Sequence, residues 1–445
     1  MPQDPLDKPG PARLFGGRMP DAERTKFSPS ASAWITLAIL SGLNMLNYLD
    51  RYVMSAVLTP LQNDLKFDDA SAGWVASAFM LGYFTSAPFF GYLGDRFPRR
   101  YLMLAGVVVW SLATASSGLA QNFTQLFCIR LFVGFGEACF VTMGPSWISD
   151  LFAGPRRNTV LTLFYVATSF GSAIGFTIGG WFAAHGDWRG AFIYTGLPGL
   201  LLAFCLLGLR EPRRGEADGL AAQETPRLPK VREIFGLLRL GRYHLLVWGY
   251  TAQTFAIGAF GVWGVVFLER VHGMAPGSAS TIFGLILAGA GLAATLIGGL
   301  VATRLRRSTP AGYAWVMAFA LLAALPVCCF ALTTGGTTAA LAGLGVSMFF
   351  LFLPTGPITS QLLEIVPVHL RASGVALCTF IMHLFGDWQS PTIVGAISDS
   401  VTSATHSAAA GLRAGVLILP VVLAIGAALW CGLVYRARRG IPVQP

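Results

Sequence analysis

Residues 273–303 read GMAPGSASTIFGLILAGAGLAATLIGGLVAT, 31 residues without an Asp, Glu, Lys or Arg. A bilayer core takes about 20 residues of apolar helix. Only helices and closed barrels satisfy the backbone in lipid, and continuous apolarity excludes the alternation of a barrel strand. Working outward, residues 158–186, 190–209 and 414–435 are equally free of charge. So is 308–363, which is too long for one span and is cut by Thr333-Thr334-Gly335-Gly336-Thr337-Thr338. Twelve membrane helices follow, over roughly 33–58, 70–93, 101–120, 123–149, 157–184, 189–209, 243–268, 276–303, 311–332, 338–361, 369–396 and 412–435.

Composition agrees. Hydrophobic residues make up 54% of the 445 and charged residues 12%, about half a soluble protein's share. Mean hydropathy is +0.62. The seven cysteines lie in apolar stretches and form no CxxC pair, so neither a disulfide framework nor a zinc site is expected. The net charge of +10 is spread between the apolar segments, which argues topology and no nucleic-acid partner. The first 30 residues are polar and rich in Pro and Gly, unlike a signal peptide.

With the N-terminus inside, 25 of the 31 Lys and Arg residues fall in cytoplasmic segments. Four fall in outer loops (Lys66, Arg189, Arg270, Arg413) and two within spans (Arg51, Arg130). The asymmetry predicts both termini in the cytoplasm. The expected organisation is a tail over 1–32, a six-helix bundle over 33–209, a linker over 210–242, a second six-helix bundle over 243–436 and a tail over 437–445. The linker carries eight basic residues and three prolines. Val231–Leu240 within it reads either as an amphipathic surface piece or as part of a plain tether.

The halves repeat weakly. Gly91-Tyr92-Leu93-Gly94-Asp95-Arg96-Phe97-Pro98-Arg99-Arg100 follows helix 2, and Gly299-Leu300-Val301-Ala302-Thr303-Arg304-Leu305-Arg306-Arg307 follows helix 8. After helices 4 and 10, Asp150 and Arg157 fall opposite Glu364 and Arg371. Repeated halves around a central site are the architecture of secondary transporters.

The Gly91–Arg100 segment resembles the signature loop between helices 2 and 3 of the major facilitator superfamily, and Arg130-Leu131-Phe132-Val133-Gly134 resembles its helix 4 motif. A narrower resemblance is to the Spinster family of lipid transporters. It rests on Asn47-Tyr48-Leu49-Asp50-Arg51 in helix 1, Gly134-Phe135-Gly136-Glu137-Ala138 in helix 4 and His383-Leu384-Phe385-Gly386-Asp387-Trp388-Gln389-Ser390-Pro391 in helix 11. The resemblance covers residues 33–436. It implies an all-α integral membrane protein of two pseudo-symmetric six-helix bundles, working by alternating access. Short loops and tails resemble the bacterial members, which implies a bacterial inner membrane.

Each motif also has a physical reading. Gly91 and Gly94 allow close helix approach. Asp95, Arg96, Arg99, Arg100, Asp150 and Arg157 sit at cytoplasmic helix ends, where arginines can meet carboxylates across the halves and act as a latch. A tight positive-inside turn is the simpler alternative. In helix 5, Gly171, Gly175, Gly179 and Gly180 form a small-residue stripe suited to close packing.

Asp50, Arg51, Arg130, Glu137, His383 and Asp387 fall inside spans, where a charge costs about 3 kcal/mol or more. Asp50 and Arg51 lie roughly 10–12 Å from the outer end of helix 1, and Arg130 lies about 10 Å below the outer end of helix 4. Glu137 follows on the same face roughly 10 Å deeper. Arg130 is expected to bind Asp50 or Glu137, with an anionic headgroup competing for Arg51 or Arg130. A carboxylate that loses its arginine in a low-dielectric cavity takes up a proton. Glu137, the deepest acid, is therefore the main candidate proton carrier, with Asp50 second. A structural salt bridge is the competing reading, and packing competes at His383 and Asp387.

Asn47, Tyr48, Tyr250, Gln253 and Phe350 are candidate cavity residues, the last three if helices 7 and 10 complete the wall. Charge on one wall and aromatics on the other suit an amphiphile. No GxSxG, HExxH, Walker loop or metal-ligand spacing is present, so no enzyme, cofactor or metal is expected. The expected partners are membrane lipids, protons and an amphiphilic small molecule, with the protein as a monomer. An organic-anion or sugar-acid proton symporter of the same superfamily and a transport-inactive sensor are the alternatives.

Overall fold

A computed structural model of the chain describes residues 31–153, 155–214, 216–218, 231–367 and 370–439. Most of the expected N-terminal tail, the middle of the linker and the last six residues lie outside the described residues. Twelve helical rods make up the fold, and no strand occurs among the described residues.

We number the rods α1–α12. The N-terminal half holds α1 (Ala31–Ala56, resumed as Leu58–Leu65), α2 (Asp69–Arg96), α3 (Arg99–Ser117), α4 (Phe123–Leu151), α5 (Pro155–Ala184) and α6 (Trp188–Cys205). The C-terminal half holds α7 (Gly241–His272), α8 (Pro276–Ser308), α9 (Gly312–Thr333) and α10 (Thr337–Phe352, resumed as Thr355–Ile365). It ends with α11 (Arg371–Met382, a π turn His383–Asp387, then Ser390–Thr405) and α12 (Ala408–Val416, then Ile418–Arg438). In the linker, Val231–Gly236 is helical and Leu237 is buried, which favours the amphipathic piece over a plain tether.

Nine of the rods are long and apolar enough to cross a membrane by length and composition. The remaining three are α2, α3 and the interrupted α11. Large side chains such as Leu119, Leu201, Phe204, Leu300 and Phe319 face outward, as a lipid-bathed surface requires.

α1 packs along α5, and α4 packs between α2 and α3. The glycine stripe of α5 explains the first contact. A Cβ at Gly171 would collide with the carbonyl of Met45, and one at Gly175 would stand 2.5 Å from that of Leu49. α5 meets α8, and α2 meets α11, across the two halves. One end of the bundle carries Arg96, Arg99, Arg304, Arg307 and Arg436 and is called here the basic end. The other, carrying Asp69 and Arg270, is the far end.

Candidate functional site

The helix 4 motif is a crossing device. A Cβ at Gly134 would collide with the carbonyl of Phe79 on α2. One at Gly136 would stand 2.6 Å from both the Gly106 carbonyl and the Trp110 nitrogen on α3. Backbone-to-backbone contact on both sides fixes α4, and Glu137, the next residue, is fully buried between the helices.

Arg51 Nη2 donates to Glu137 Oε2 at 3.1 Å. The Glu137 side chain is 0% exposed, while that of Arg51 is 19% exposed and is the accessible member of the pair. The Arg51 guanidinium also lies 4.8 Å from the Tyr48 ring, 4.7 Å from Phe79 and 5.5 Å from Tyr83. Such faces attract a cation. Asp50 points elsewhere: its Oδ2 accepts from Trp110 Nε1 at 3.2 Å.

This pairing corrects the expectation for Arg130. It is 2% exposed, and its Nε and Nη1 meet no hydrogen-bond acceptor. It lies over the Phe79 ring at 5.2 Å. Neither Asp50 nor Glu137 bonds it, and burial keeps it from a headgroup in the cavity. The reason is side-chain direction. Helical side chains lean toward their own N-terminus. α1 and α4 run oppositely, so Arg51 leans toward the level of Glu137 and Arg130 leans away from it.

Asn47 is fully buried, with its side chain beside Glu137. Gln253 is not a cavity residue: its Nε2 donates to the Leu351 carbonyl, tying α7 to the break in α10. Phe350 packs on Phe349 at 5.6 Å and on Phe319 of α9 at 5.9 Å, within the C-terminal half. Tyr250 is half-buried on α7.

The His383–Asp387 motif is the π turn of α11. His383 Nδ1 lies 2.9 and 3.0 Å from the two Asp387 oxygens. The His383 ring stands 6.2 Å from Tyr83 of α2, across the halves. Tyr83 therefore neighbours both the Arg51–Glu137 and the His383–Asp387 pairs. Sequence reasoning missed Phe79, Tyr83 and Trp110, since aromatics in an apolar helix carry no mark of the face they take.

At the basic end, Arg99 Nη1 pairs with Asp150 at 2.7 Å and its Nε lies 3.4 Å from Glu211. Arg96 folds back onto the Tyr92 ring at 3.9 Å. Arg100 reaches the Leu207 and Leu209 carbonyls. Arg157 bonds the carbonyls of Ser149 and Phe152, closing the end of α4. Arg306 pairs with Glu364 at 2.9 Å as the counterpart in the second half. These pairs brace each half internally, where partners across the halves were expected.

The hydrogen bonds joining the halves among the described residues all lie toward the far end. Arg270 Nη1 bonds both oxygens of Asp69, and its Nη2 bonds Gln62, each at 2.8 Å. Asp399 accepts from the backbone N–H of Asp69 and Ala70, and Ser398 donates to Asp69. Thr59 meets Glu269, Ser77 meets Trp388 and Thr392, and Ser280 meets Phe176. The halves are sealed at the far end and separate toward the basic end.

Two six-helix halves, sealed at one end around a buried charge cluster, are the architecture of a membrane transporter. Comparison with known proteins agrees. Residues 40–386 match the Major Facilitator Superfamily. Protein spinster of Drosophila melanogaster is 32% identical over 390 residues, which cover 85% of this chain and 64% of that protein. The sphingosine-1-phosphate transporter SPNS2 of Danio rerio is 32% identical over 384 residues, covering 82% of this chain and 76% of that protein. The crystal structure of a bacterial homologue of the human lysosomal transporter Spinster, inward-facing and unoccupied, superposes with a TM-score of 0.82. It is 23% identical and covers 93% of this chain and 98% of its own. The chain belongs to the Spinster family of the major facilitator superfamily; it is a multi-pass membrane transporter and not an enzyme.

Proposed function

We propose that the protein is a proton-coupled carrier for an amphiphile of the lysolipid or sphingoid type. It acts as a monomer in the inner membrane of a bacterium, with both termini and the basic end in the cytoplasm. The distribution of Lys and Arg supports that orientation, so the state described above is open to the cytoplasm.

The observation that carries the reading is the Arg51–Glu137 pair, one member buried and the other accessible. An anionic headgroup can reach Arg51, whose planar fork suits two oxygens at once. A proton on Glu137 removes the carboxylate that competes for the same guanidinium. Headgroup binding and protonation therefore favour each other. The rings of Tyr48, Phe79 and Tyr83 hold the guanidinium once it leaves Glu137. The name of the SPNS2 relative supports a phosphate headgroup on an apolar tail.

The test is uptake into liposomes holding the purified protein, with lysolipids, sphingoid bases and small organic anions, each with and without a pH gradient. Gradient-dependent accumulation of an amphiphile is expected. Arg51→Ala should abolish it and Arg51→Lys should restore little. Uptake of small organic anions alone would replace the lipid reading. Accumulation indifferent to the gradient would remove proton coupling.

A further inference from the structure

The first residues of the linker are clamped onto the turn between α2 and α3. Glu211 Oε1 accepts from the Arg99 backbone N–H at 2.8 Å, and Oε2 accepts from that of Arg100 at 3.2 Å. Glu211 thereby caps α3, whose own N-cap residue, Pro98, supplies no side-chain bond. Arg214 donates to the carbonyls of Gly94 and Asp95 at the end of α2, and stands 4.0 Å from the Asp95 carboxylate. Cationic side chains suit helix C-termini, where carbonyls are unpaired.

The place that Arg214 occupies lies on the track of α11. Toward the far end, Asp69 meets Gly395, Gly73 meets Pro391 and Thr392, and Ser77 meets Trp388. Nearer the middle, Phe84 meets Phe380. At about 100° per residue, these four residues of α2 fall within an arc of about 80°. Gly91 and Asp95 fall in the same arc. The two helices run antiparallel along this line: residue numbers add to 464 or 465 for these pairs, 469 for Ser77 with Thr392 and 472 for Phe84 with Trp388. Continued to the basic end, the same course brings the Gly94–Asp95 end of α2 to the first turns of α11, which begins at Arg371. In this structure the helices have parted there. A Cβ on Gly91 would meet nothing nearer than Thr142, at 3.9 Å, and Arg371 is exposed.

We infer that Arg214 and Arg371 are alternative occupants of one seat at the Gly94–Asp95 end of α2. Arg214 fills the seat while the basic end is open. Arg371 takes it when α2 and α11 close along their common course, and Arg214 is displaced. The linker is then a competitor that sets how readily the basic end closes. The inference rests on packing and helix course, independently of substrate or proton.

The test uses the full-length protein in lipid nanodiscs, on a background without native cysteines. Spin-label distances are measured between positions 101 and 301 across the basic end, and between 119 and 404 across the far end. Arg214→Ala should raise the ratio of basic-end-closed to basic-end-open molecules by about fivefold, and Arg371→Ala should lower it by a similar factor. The double variant should return near the starting ratio, which a misfolded single variant would not predict. An unchanged ratio in either single variant, or a shift of Arg214→Ala toward the open form, overturns the exchange. Because the readout is conformation, that failure leaves the transport reading standing.

Discussion

Arg270 of α7 grips both carboxylate oxygens of Asp69 on α2 at 2.8 Å, an ion pair that joins the two halves at the far end. Asp69 also receives Ser398 and Gln62, which places four side chains on one knot. Asp69→Asn keeps the shape and removes the charge. The far-end-closed population should fall by about tenfold relative to the open one, equivalent to ~1.4 kcal/mol. Far-end spin-label distances check this. Unaltered distances would mean that the helix contacts alone hold the seal.

Glu137→Gln removes the ionisable group and keeps the volume. Counterflow exchange of a transported amphiphile should persist, while accumulation driven by a pH gradient should disappear. Asp50→Asn should instead disturb the packing of α1 on α3, since its bond partner is Trp110. Normal gradient-driven accumulation by Glu137→Gln would pass the proton role to Asp50.

Trp110→Phe preserves the ring contact with Phe140, at 5.7 Å, and deletes the donor to Asp50. A buried carboxylate left without its donor costs about 1–3 kcal/mol. The thermal unfolding midpoint in detergent should drop, and Asp50→Asn added to Trp110→Phe should recover part of the loss. An unchanged midpoint would show that the indole bond adds no stability.

Gly134→Ala drives a methyl into the Phe79 carbonyl. Overpacking of this kind costs about 1–3 kcal/mol, and the displaced α2 carries Phe79 and Tyr83 away from Arg51, so transport should fall with stability. Gly91→Ala meets only Thr142, at 3.9 Å, and its unfolding midpoint should be unchanged or slightly higher. Equal loss in both variants would show that the α2–α4 crossing tolerates more separation than its glycines imply.

Charge-free runs made most of the twelve spans legible, because lipid forbids what soluble helices allow. α11 was harder: its π turn interrupts the helix where His383 and Asp387 stand. The charged members of the site were legible too, as residues with no reason to be in a membrane. Their partners were not. Depth along the helices favoured Arg130, and side-chain lean, which depends on chain direction, reversed the choice in favour of Arg51. Gln253 failed for another reason. α7 is apolar on nearly every side, so its sequence marks no cavity face, and the side chain turns to the Leu351 carbonyl beside the break in α10 at Leu353–Pro354.

The α5 glycines place α1 directly on α5 through its backbone carbonyls. α5 in turn bears on α8 of the other half, where Gly180 faces Ser280 and Gly284 faces Phe176. Arg51 therefore sits one packing layer behind the seam between the halves. A shift of α5 against α8 is handed through the α1 backbone to Arg51, so the seam and the Arg51–Glu137 pair share one mechanical path.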